Sequence, residues 1–206
     1  AGTRRDVSAH RASAWAALPD GITAGMFAVV WLSPFALGPL SVKTALLVML
    51  VEFFLIHATG FFTAIGGSPK VPRKTRMLSL LGLTAFYLVM VGAFAWSFQE
   101  WWPLLAFLWL AVGKAVWAWG TRPGVSDAAH ASAMAAWGGS VVAYIFGAFL
   151  TLLVPVPRLG MTEALQDSFG LDGGGLWIEQ PQRVVAFGLV YFGLLCIGKL
   201  VAARRQ

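Results

Sequence analysis

The residues of this 206-residue chain best placed to do chemistry fall in one apolar run, Val51-Glu52-Phe53-Phe54-Leu55-Ile56-His57-Ala58-Thr59-Gly60-Phe61-Phe62. Glu52 lies about ten residues into a candidate membrane span, roughly 15 Å deep at 1.5 Å per residue. An ionisable group at that depth is costly and usually faces the bundle interior. At 100° per residue, Ser41, Glu52, Thr59 and Thr63 lie within about 20° of one line, and Ala45 and Ile56 share their face. Such a stripe can line a hydrated path for a proton or cation, with Glu52 as the titrating group. It can equally hydrogen-bond to neighbouring helices. Metal or cofactor binding is a third use of the same carboxyl.

His57 is on the same helix but about 140° around from Glu52. The two cannot act side by side, although they can bracket a third element packed between them. A neutral imidazole relays protons or ligates haem iron. Bis-histidine haem b would pair His57 with His130, which follows Asp127-Ala128-Ala129 at the start of a later span. The two differ in depth by several ångströms, which argues against the pair. The plainer role for His57 is a hydrogen bond to a hydroxyl or carbonyl inside the bundle, and no cofactor is expected. Lys114, counted from Trp101, is about 20 Å deep. It either snorkels to the near surface or pairs with Glu52.

Other signatures are missing. HExxH, GxSxG and nucleotide-loop glycine patterns do not occur. Glu52 is the single carboxylate within the apolar spans, too few for a di-metal bundle site. Cys196 is the only cysteine, which excludes an internal disulfide, cysteine-rich zinc sites and iron–sulfur clusters.

The elements that must position these groups are helices. Hydrophobic residues make up 58% of the chain and charged residues 12%, with a mean hydropathy of +0.74. A soluble domain is about 45–50% apolar and about 25% charged. An all-α polytopic membrane bundle, forming a single membrane domain over 1–206, is therefore expected. A span needs about 20 apolar residues, and six stretches qualify: 21–40, 42–65, 77–98, 102–119, 129–154 and 184–203. Pro34 and Pro39 make the first the least regular, with a break expected near Ser33-Pro34.

Cations set the orientation. Arg4, Arg5, Arg11, then Lys70, Arg73, Lys74 and Arg76, then Arg122, then Lys199, Arg204 and Arg205 fall on one side of a six-span arrangement. Lys43, Arg158 and Arg183 fall on the other, with Glu100, Glu163, Asp167, Asp172 and Glu179. Positive charge marks the cytoplasmic side, so both termini are expected there, in an energised membrane such as a bacterial inner membrane. Trp96, Trp101 and Trp102 at one boundary, and Trp117 and Trp119 at the other, suit headgroup anchors. Residues 1–20 lack the apolar run of a secretory signal. The loop 66–76 is expected to draw anionic headgroups to Lys70, Arg73, Lys74 and Arg76, and nucleic acid is not expected.

Two further segments stand out. Ala131, Ala135, Gly139, Ala143 and Gly147 recur every fourth residue, a small-residue ridge that permits close helix approach within the bundle or to another subunit. Residues 155–183 form the one sizeable loop. Thr162-Glu163 should start a short helix there, lying on the outer surface near Leu171, Leu176 and Trp177, or else capping a cavity or docking a partner.

The expected function is a non-catalytic membrane subunit or scaffold packed against other membrane proteins or itself. A small transporter or channel built on Glu52 is the alternative, and a haem-binding electron-transfer subunit a further one.

Overall fold

The computed structural model describes residues 15, 17–66, 72–120 and 127–204, without the side chains of 66, 73, 114–120, 127–130 and 132. Arg4, Arg5, Arg11, Lys70, Arg122 and Arg205 lie outside the described residues, as do the side chains of Arg73, Lys114, Trp117, Trp119 and His130.

The described residues contain no strand. Their helices are α1 (Leu18–Leu32), α2 (Ser41–Gly66), α3 (Arg73–Phe98), α4 (Trp102–Gly120), α5 (Asp127–Leu153), a 3-10 helix (Glu163–Phe169), α6 (Leu176–Glu179) and α7 (Pro181–Arg204). Among the described residues, four stretches are long and apolar enough to cross a membrane: Ser41–Ile65, Lys74–Phe98, Ala133–Leu153 and Pro181–Arg204.

The helix expected over 21–40 stops at Leu32. The cause is local. A residue before proline is pushed out of the α region, and Ser33 sits at φ −144, ψ 89. Tight turns follow, with Ala36 N–H on Ser33 O and Gly38 N–H on Phe35 O. At 15 residues, α1 is roughly 22 Å long, short of the roughly 30 Å hydrocarbon core.

The chain divides into two compact units, Ala1–Met49 with Ala143–Gln206, and Leu50–Val142. In the first, α1 packs along α7. Phe27 stacks on Phe192 with ring centroids 5.8 Å apart, and Lys199 Nζ meets Asp20 Oδ2 at 2.5 Å. These pairs run in opposite directions along the two helices, so the packing is antiparallel. Gly188 makes it possible: a Cβ there would fall 2.3 Å from the Phe27 ring.

The segment between α5 and α7 is tied to this unit. Gly160 N–H donates to Trp31 O at 3.1 Å, and Trp31 Nε1 donates to Pro157 O at 2.9 Å. Phe169 is fully buried and lies against Phe35. Gln166 donates to Ile178 O, while Arg158 reaches Glu163 at 3.2 Å. The 3-10 helix starts after Thr162 and ends at Gly170 in the left-handed region.

Arg183 closes the end of α5. Its Nη1 donates to Thr151 O at 2.5 Å and to Leu152 O at 3.1 Å, and its Nε to Gln180 Oε1 at 2.6 Å. The last carbonyls of a helix have no intrahelical partner and carry its negative dipole end. A guanidinium supplies both donors and charge.

The second unit is built around Phe54, Ala58 and Phe62 of α2, Leu80, Tyr87 and Val91 of α3, and Phe107 and Ala111 of α4. The α2 residues are four apart and so share one face. Aromatic contacts knit the cluster: Phe54 to Phe94 at 5.4 Å and Tyr87 to Phe107 at 5.7 Å. Each such pair is worth about 0.5–1.5 kcal/mol beyond area burial.

Candidate functional site on the second helix

The polar residues of α2 do not converge on one point. Ser41 is buried, and its Oγ donates to Gly38 O at 2.6 Å. It therefore closes the turn that starts α2. Glu52 and Thr59 are half-buried, and Thr63 is buried. Glu52 and Thr63 both have interaction partners. Glu52 stands 11 residues after Ser41, roughly 17 Å along the axis.

His57 is half-buried. Its Nδ1–H donates to the Phe53 carbonyl one turn back at 2.7 Å, and its ring lies 4.3 Å from that of Phe53. A carbonyl only accepts, so Nδ1 carries the proton. In the neutral ring Nε2 is then the acceptor, the atom that could ligate a metal or take a proton. The same back-bond orients metal-binding histidines in general. A bis-histidine site needs His130, whose side chain lies outside the described residues, as does that of Lys114.

A third element does pack on α2 between the directions of Glu52 and His57. It is Trp137 of α5. Its Nε1 donates to Ile56 O at 2.9 Å, and its indole covers Gly60, where a Cβ would sit 2.3 Å from Trp137 Cε2. Around the axis, Gly60 is about 80° from Glu52 and about 60° from His57. The indole therefore separates the two groups.

Within the first unit, Tyr144 of α5 does the same to α2. Its Oη donates to Met49 O at 2.8 Å, and its ring meets Phe187 at 4.8 Å and Tyr191 at 5.4 Å. Backbone carbonyls carry two lone pairs. Met49 and Ile56 can thus keep their helical bonds while accepting a side-chain donor.

The small-residue ridge is used at one end. Ala131, Ala135 and Gly139 are exposed, Ala143 is half-buried and Gly147 is buried. A Cβ on Gly147 would come within 2.7 Å of Phe187. A four-residue spacing drifts about 40° per step around a helix, so the ridge winds across α5 instead of tracking one neighbour.

An apolar cleft of about 280 Å³ lies between α1, the 37–41 turn and the start of α2. Its Thr23 and Ser41 hydroxyls already donate to Pro19 O and Gly38 O.

Spacing alone pointed to the α2 residues but passed over Trp137 and the capping role of Arg183. The available signal for Trp137 was a tryptophan beside Gly138-Gly139 inside an apolar run. Compared with known protein families, with curated proteins and with solved structures, the chain matches none.

Proposed function

We propose that this chain is a non-catalytic integral membrane subunit, a scaffold that packs against other membrane proteins. The observation that supports it is the use made of its polar side chains. Trp137 and Tyr144 donate to carbonyls of α2, Arg183 donates to the end of α5, and Asp20 pairs with Lys199. These bonds fasten helices. Broad apolar faces remain for lipid or partners: only 17% of an 18-residue apolar stretch within Lys74–Phe98 is buried, and the same share within Ala133–Leu153.

In this proposal the chain crosses six times with both termini in the cytoplasm, in an energised membrane such as a bacterial inner membrane. α1 and α4 supply the two shorter crossings, which a bilayer accommodates by local thinning. The basic residues around 70–76 then meet anionic headgroups.

The second reading is a small transporter with Glu52 in its path. Glu52 favours it by its half-buried place in the middle of α2. Native purification in mild detergent separates the two. A stoichiometric set of foreign subunits supports the scaffold. A chain found alone overturns it, and ion flux abolished by Glu52→Gln, with assembly intact, would establish transport. Haem b on His57 predicts a Soret band in the same preparation.

A further inference from the structure

We draw no further inference here: the strongest candidate, the apolar cleft of about 280 Å³ between α1, the 37–41 turn and the start of α2, carries nothing because nothing in the structure shows what covers it.

Discussion

The Trp137 indole donates to the Ile56 carbonyl at 2.9 Å while its ring covers Gly60. Seven residues along each helix, in opposite directions, Tyr144 donates to Met49 at 2.8 Å. The same device recurs: an aromatic donor on α5 uses the second lone pair of a carbonyl on α2. The donor is held by its ring and the acceptor by its helix, so both are fixed before they meet.

Gly60→Ala should destabilise the protein by about 1–3 kcal/mol, the usual cost of overpacking. The added methyl would overlap the indole, with its carbon 2.3 Å from Trp137 Cε2. Thermal unfolding in detergent measures the loss. Trp137→Ala combined with Gly60→Ala should cost less than the sum of the two changes, because the clash is gone. Strict additivity would mean the indole does not sit on Gly60.

The Asp20–Lys199 pair should respond asymmetrically. The Asp20 side chain is 12% exposed and that of Lys199 46%. Lys199→Met leaves a carboxylate in a buried position without its cation. Asp20→Asn leaves an ammonium that can turn to water. Lys199→Met should therefore be the more costly, by about 1 kcal/mol once solvent screening of the lysine is allowed for. Equal melting temperatures for the two variants would refute this account.

Arg183 should control fraying of α5. With Arg183→Met the carbonyls of Thr151 and Leu152 lose their donor, and the last turn opens more often. Hydrogen exchange followed by mass spectrometry should show faster exchange in peptides over 147–154. Arg183→Lys should fall between, since an ammonium keeps the charge but not the planar fork. Unchanged protection in Arg183→Met would mean the guanidinium does not cap the helix.

The all-helical character was legible because it is written in composition and in the length of apolar runs. The turn at Ser33-Pro34 was legible too, since proline acts on its immediate neighbour. How far α1 reached was not. The apolar residues Phe35, Leu37 and Leu40 extend the hydropathy signal past the helix end. The angular separation of Glu52 from His57 followed from helical periodicity alone. That Trp137 lies between them did not, because pairing between distant helices leaves no periodic trace in either one. The ridge from Ala131 to Gly147 winds around α5, because a repeat of four is not a multiple of the helical turn.

The antiparallel packing of α1 on α7 has a consequence for biogenesis. About 150 residues separate the two helices, which at about 5–20 residues per second takes the ribosome about 8–30 s. Throughout that interval α1 exists without Phe192, Gly188 or Lys199, and Asp20 has no cation from α7. The α3–α4 hairpin, by contrast, is complete within 50 residues. Nascent chains therefore form the α3–α4 hairpin before α1 meets α7, so α1 waits for its partner while later helices pack. During that wait, Asp20 and the apolar face of α1 depend on the translocon, on lipid, or on a chaperone.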